Sequence, residues 1–179
     1  MLTLNGFVKG EVTNYKQWTD NEFSITVKAD IGPYVAGQFT KLALQDENGE
    51  WLRRAYSFVN SPNHALGRQC MEFLIIDVPN GGLSPKLAKV NIGDDIYVGD
   101  KPSGFMTLAE IPSNATNLWL LSTGTAIGPF LSILGESETQ QRFEKIILVH
   151  AVRTKQELVY QALIEKLLHQ YNGKLVYLP

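Results

Sequence analysis

Thr123-Gly124-Thr125-Ala126-Ile127-Gly128 sits between an apolar run, Leu118-Trp119-Leu120-Leu121, and a helical pattern through Phe130, Leu131 and Leu134. Small residues at a strand-to-helix turn let the backbone approach a pyrophosphate. The start of the helix adds unpaired N–H groups and a partial positive charge. The turn lacks the Gly-Lys-Ser/Thr of a phosphate-loop NTPase and departs from the dinucleotide fingerprint. A tight turn also asks for glycine on geometry alone. In Arg54-Ala55-Tyr56-Ser57 the spacing puts Arg54 and Tyr56 on one face of a strand, where they could clamp a phosphate and cover an aromatic ring. An ordinary surface arginine beside a half-buried tyrosine has the same spacing. Gly81-Gly82-Leu83-Ser84-Pro85 is a glycine turn entering a helix, either a second anion site or simply a turn with its cap.

Arg153 follows the apolar run Ile146–Ala151. In dinucleotide folds that strand end faces the adenosine ribose, where an acid suits a free hydroxyl and an arginine a 2′-phosphate. With no acid at that strand end, Arg153 favours NADP over NAD. His150 reads as a satisfied core residue, His64 and His169 as exposed, and Cys70 as buried packing. No HExxH, GxSxG or paired-histidine spacing occurs, so hydrolase and metalloenzyme chemistry have no support and no metal is expected.

Two kinds of element must position these residues. Up to Gly99 the chain reads as β-rich. Phe23, Ile25, Val27 and Ala29 alternate with polar residues, as in a half-buried strand, and further β-like runs cover Gly37–Gln45, Arg54–Asn60, Met71–Asp77 and Asp95–Gly99. Short strands separated by Gly/Pro turns predict an antiparallel barrel or sandwich. A short helix is predicted from Ser84, as N-cap, through Lys89. After Ile111-Pro112-Ser113 the pattern becomes β-α-β-α-β, the first half of a doubly wound sheet. Leu118–Leu121 reads as a strand buried on both faces. Thr154 and Glu157 have capping-box spacing ahead of a stripe at Tyr160, Leu163, Ile164, Leu167, Leu168 and Tyr171, and Lys174–Leu178 begins a third strand. Such sheets usually have five or six strands, so a chain stopping at Pro179 reads as a fragment.

Across the 179 residues, 44% are hydrophobic and 19% charged, enough apolar material for a core. The 16 Lys+Arg against 18 Asp+Glu leave a net charge of -2, which gives no case for nucleic acid or an anionic membrane. One cysteine excludes a disulfide framework. The N-terminal MLTLNGFVKGEV has no basic flank leading into a long apolar stretch, so no signal peptide is expected and a cytoplasmic protein is the plain reading.

Taken in order, Arg54-Ala55-Tyr56-Ser57, Gly82-Leu83-Ser84, Thr123-Gly124-Thr125-Ala126-Ile127-Gly128-Pro129 and Val149-His150-Ala151-Val152-Arg153 resemble the ferredoxin (flavodoxin)–NADP(H) reductases of the plant-type superfamily, in their bacterial branch. The resemblance implies an FAD-binding antiparallel β-barrel over 1–112 and the first half of an NADP-binding α/β domain over 113–179. It implies that Arg54 binds the FAD pyrophosphate, that Tyr56 stacks on the flavin ring and that Ser57 lies near the redox-active flavin nitrogen. Ala55, the backbone at Ile75, the Gly82-Leu83-Ser84 turn and Thr125 would complete the FAD site. Thr123, Gly124, Val152 and Arg153 would meet NADP(H), and no side chain need act as acid or base. The implied reaction moves electrons between NADP(H) and ferredoxin or flavodoxin through FAD, in a protein that is a monomer when complete. The family's later Cys-Gly motif, further NADP-phosphate arginines and terminal aromatic tail are not in this sequence. Alternatives are a free flavin reductase and a non-catalytic FAD-binding fragment. An oxygenase reductase with a fused iron–sulfur domain would need four more cysteines.

Overall fold

Residues 4–179 are described in the computed structural model, so the first three residues of the N-terminal stretch lie outside the described residues. Six strands form one antiparallel sheet: β1 (Phe7–Gln17), β2 (Glu22–Lys28), β3 (Phe39–Gln45), β4 (Trp51–Ser57), β5 (Cys70–Ile76) and β6 (Asp95–Gly99). Their order is β4-β3-β6-β1-β2-β5. The sheet curls until Phe58, just past β4, bridges Phe73 on β5. Inside this barrel Phe23, Ile25, Val27, Leu42, Phe73 and Ile96 are fully buried. The Phe58 ring stacks on Tyr34 at 4.0 Å between centroids.

Sequence pattern alone misses the longest strand. β1 has 11 residues, and only Gly10 and Val12 are buried. A mostly polar run gives no alternation to read, yet β1 pairs with both β2 and β6. β4 begins at Trp51 rather than Arg54 and ends at Ser57 rather than Asn60. On β2 the alternation is right, but the polar face is dry at its first two positions and exposed only at Lys28. Glu22 and Ser24 are each 3% exposed: the Trp18 indole N–H donates to the Ser24 hydroxyl at 3.1 Å, and the Tyr160 ring, just ahead of the last helix, packs on Trp18.

The short helix α1 spans Ser84–Leu87, with Pro85 in its first turn. Ser84 is not its N-cap: that place falls to Leu83, and the Ser84 hydroxyl accepts from the Val78 N–H at 3.1 Å. Three parallel strands follow, β7 (Asn117–Thr123), β8 (Lys145–Ala151) and β9 (Leu175–Leu178), in the order β7-β8-β9. The helices between them are α2 (Ile127–Leu134), α3 (Ser137–Arg142) and α4 (Gln161–Gln170). No sequence signal marks α3. The Arg142 guanidinium at its end donates to the carbonyls of Leu108, Ile111 and Pro112, pinning it to the connection between the sheets.

Two expectations for this part fail. β7 is buried on one face only: Leu118 and Leu120 are 6% and 4% exposed, Trp119 and Leu121 60% and 65%. The capping box does not open the long helix either. Lys155–Glu157 is a separate 3-10 turn with no Thr154 side-chain cap, and α4 starts after Tyr160, which sits in the left-handed region at φ 59. The helical stripe itself holds at Ile164, Leu167 and Tyr171, all nearly buried, while Leu163 is exposed.

Every residue of α2 is buried, because it lies between the two sheets. A Cβ on Gly128 would stand 3.2 Å from Val59, and one on Gly135 2.9 Å from Ser61. The Ser132 hydroxyl donates to the Asn60 carbonyl at 2.9 Å. The second glycine of the 123–128 turn is therefore needed for close packing against the barrel. Tyr160 donates to Glu72 at 2.6 Å and its ring meets Trp18 at 4.5 Å, and Glu136 accepts from Ser61 and Asn63.

Candidate functional site

β4 lays out the first part of the site. Its antiparallel register pairs Leu52 with Leu44, Arg54 with Leu42 and Tyr56 with Thr40, so the three residues share one face. The row spans about 13 Å at ordinary strand rise. At its Leu52 end, a Cβ on Gly82 would stand 3.8 Å from the Leu52 side chain, which places the Gly82-Leu83-Ser84 turn beside the row. In the middle stands exposed Arg54, one N–H bonded to the Arg53 carbonyl at 2.8 Å. Among the described residues it has no carboxylate partner. Burial raises the Tyr56 phenol above its ordinary value, and the Arg54 guanidinium opposes that shift. Leu83 is 1% exposed and the Ser84 hydroxyl is committed to Val78, so this turn offers a ligand its backbone rather than those side chains. Ile75 is buried in the barrel with its side chain, and its neighbour Leu74 reaches the cleft.

At the Tyr56 end the row meets the second sheet. Ala55, Tyr56, Ser57, Val59 and Leu74 from the barrel, with Thr123, Thr125, Ala126 and Gly128, enclose a cavity of about 250 Å3. A neighbouring cavity of about 690 Å3 is lined by Asn21, Ile76, Asp77, Val78 and Pro79 on one side and by Thr123, Gly124, Thr125, Ala151, Val152, Arg153 and Glu157 on the other. Thr123 and Thr125 line both, so the two spaces flank one turn. Gly124 has φ +51 and nothing within 4 Å of where its Cβ would be. This is the carboxyl end of the parallel strands, where open α/β sheets take ligands.

Every expected site residue therefore falls along one path, except that Ile75, Leu83 and Ser84 have side chains used by the fold. Sequence reasoning missed the wall Asn21, Ile76–Pro79, which no local motif announces, and it missed an acid. Glu157 accepts from the Arg153 N–H at 3.1 Å and from its guanidinium at 3.0 Å. The expectation of no acid at that strand end is wrong. The Arg153–Glu157 spacing of four is visible in the sequence, but Glu157 also fits a capping box with Thr154. These bonds hold the Glu157 carboxyl below its usual range. Glu22 behaves oppositely. Burial and the nearby Glu157 push it up to about 7, Arg153 works against the rise, and its Oε1 has no partner. His150 is 0% exposed as expected. His64 and Cys70 are half-buried rather than exposed and buried, and His64 bonds to Asn60 and to the Cys70 carbonyl.

Residues 120–179 match the family described as the oxidoreductase NAD-binding domain. The chain is 43% identical over 180 residues to a flavodoxin/ferredoxin–NADP reductase of Buchnera aphidicola subsp. Schizaphis graminum, covering 96% of this chain and 68% of that protein. This chain belongs to the flavodoxin/ferredoxin–NADP reductase family. A protein of the same name from Shigella flexneri is 47% identical over 169 residues, 94% of this chain and 66% of the relative's length. The crystal structure of a ferredoxin NADP+ reductase from Neisseria gonorrhoeae with bound FAD and NADP superposes with a TM-score of 0.85 at 27% identity, over 98% of this chain and 68% of that one. The chain thus spans about two thirds of these proteins. Among the described residues no helix is long and apolar enough to cross a membrane, and no cluster of His, Cys, Asp and Glu could hold a metal ion.

Proposed function

We propose that this chain binds FAD along the β4 row and NADP(H) at the carboxyl end of the parallel strands, as the cofactor-binding part of a ferredoxin/flavodoxin–NADP reductase. The observation that carries the proposal is the shared turn: Thr123 and Thr125 touch both the Tyr56–Ser57 cavity and the Val152–Arg153 cavity. Two ring systems held in those spaces would meet at one place. Bound there, FAD would exchange a hydride with NADP(H) and single electrons with ferredoxin or flavodoxin.

The residues present fit that cofactor. Arg54 supplies the charge for a pyrophosphate, with the backbone of Gly82-Leu83-Ser84 beside it. Tyr56 offers a half-buried ring whose raised pKa keeps the phenol neutral. Ala55 and Ser57 line the same cavity, and the backbone near Ile75 closes it beneath Leu74. Thr123 and Gly124 bring backbone close to the dinucleotide, while Val152 and Arg153 take its adenosine end. Arg153 must leave Glu157 to meet a 2′-phosphate. In this reading, residues 1–112 form the FAD unit and 113–179 the NADP unit. The carrier is ferredoxin or flavodoxin in the cytoplasm, and the complete protein acts as a monomer.

Steady-state oxidation of NADPH and NADH by the FAD-loaded chain, with ferricyanide as acceptor, tests the proposal. NADPH should be preferred, and Arg153→Ala should cut the preference mainly through KM, the sign of lost uniform binding. Equal use of both nucleotides would overturn the NADP assignment. Bound FAD with no NADPH oxidation would leave a flavin-binding module instead.

A further inference from the structure

Behind the Thr123–Gly124–Thr125 turn lies a buried histidine that the proposal above leaves unused. His150, on β8, is 0% exposed. Its Nε2 is 3.3 Å from the Gly124 carbonyl oxygen, and its Nδ1 is 3.4 Å from the Tyr177 hydroxyl on β9. That hydroxyl accepts from Gln161 Nε2, at the first turn of α4, at 2.9 Å. One proton arrangement satisfies all four groups: Gln161 donates to Tyr177, Tyr177 to Nδ1, and Nε2–H to Gly124. Burial lowers the pKa of His150, which keeps the ring in the neutral form that this arrangement requires.

Gly124 needs such a support. Its φ of +51 lies in the left-handed region and no packing surrounds its Cβ position. Its carbonyl also accepts from the Ile127 N–H at the start of α2, so two donors fix one oxygen. In a trans peptide the C=O and the following N–H point in opposite directions. Holding the Gly124 carbonyl towards His150 therefore turns the Thr125 N–H away from it, and Thr125 lines both cavities.

We propose that His150 is a positioning residue for dinucleotide binding, holding the Gly124–Thr125 peptide so that its N–H faces the pyrophosphate and nicotinamide end of NADP(H). This rests on the reading that the cleft takes NADP(H). The test is calorimetric titration of the FAD-loaded chain with NADP+ and, separately, with 2′-phospho-AMP, which reaches Arg153 but lacks the pyrophosphate and nicotinamide. His150→Leu should weaken NADP+ at least tenfold and leave 2′-phospho-AMP within twofold. His150→Gln, which keeps a donor near the Nε2 position, should recover NADP+ to within threefold of the parent. Tyr177→Phe, a milder change that keeps the ring, should weaken NADP+ about threefold. If the parent binds both ligands and the His150 and Tyr177 variants bind NADP+ unchanged, the positioning role is wrong. Equal loss of both ligands in Tyr177→Phe would also overturn it, as a general structural effect. A parent that binds neither ligand would overturn the NADP(H) reading and this inference together.

Discussion

On β2 the inward residues Phe23, Ile25 and Val27 are 0% exposed, and the outward Glu22 and Ser24 are covered as well; on β7 the outward Trp119 and Leu121 stand 60% and 65% open. The antiparallel sheet closes on itself through the Phe58–Phe73 bridge. The parallel sheet has, among the described residues, one strand beside β7, and its buried face rests on α2. That helix is in turn wedged against Val59, Asn60 and Ser61 of the barrel. The barrel can thus stand on its own core, whereas the three-stranded sheet depends on the barrel surface. The Thr123–Gly124–Thr125 turn sits at the junction and inherits that dependence.

Hydrogen exchange should show the largest effect. Leu118–Leu121 on β7 should exchange at least about a hundredfold faster than Phe23–Val27 on β2, since local opening is cheapest where few apolar contacts close over the backbone. Equal, strong protection in a dilute monomer would remove the distinction between the two sheets. Next in size is Arg54→Ala. Loss of charge-assisted hydrogen bonds should weaken FAD by about 1.5–3 kcal/mol without changing exchange in β7. An unchanged FAD affinity would take Arg54 out of the site.

The contact between the sheets can be sharpened through Glu22, which faces Glu157, Arg153 and Tyr160. Its folded pKa of about 7 lies above the ordinary carboxylate range. Across that window the folded chain holds more protons than the unfolded one, so this group's contribution is fully present at low pH and is lost as pH rises through 7. Glu22→Gln should leave stability near pH 4 unchanged and raise it at pH 8 by about 1–3 kcal/mol, the cost of ionising a buried carboxyl beside Glu157. A parallel pH dependence in parent and variant would contradict this. The smallest expected effect belongs to Glu157→Gln. The Arg153 side chain is exposed, so its pair with Glu157 adds little to stability, but freeing the guanidinium should tighten 2′-phospho-AMP severalfold. Weaker binding would mean that Glu157 shapes the loop rather than competing with phosphate.

The two-part architecture was legible because periodicity changes from alternation to continuous apolar runs near Ile111. The path of the site was legible because Arg54, Tyr56, Thr123 and Arg153 lie in short motifs on predicted elements. What stayed hidden depends on distant surfaces. β1 is mostly polar, and its pairing with β2 and β6 rather than its own pattern fixes it as a strand. The packing role of Gly128 is hidden until Val59 is seen 3.2 Å from its Cβ position. Glu22 looks solvent-facing until the fold leaves it 3% exposed. Glu157 fits a capping box on spacing, and only the backbone path shows it turned to Arg153.

The β4 row and the Gly82 turn are together proposed as the site of a flavin dinucleotide. The most direct measurement is the visible spectrum of the purified chain, with mass analysis of the cofactor it releases, before and after reconstitution with FAD. The spectrum should show flavin absorption bands, and the released cofactor should be FAD. Release of FMN alone, or no flavin uptake after reconstitution, would contradict that assignment.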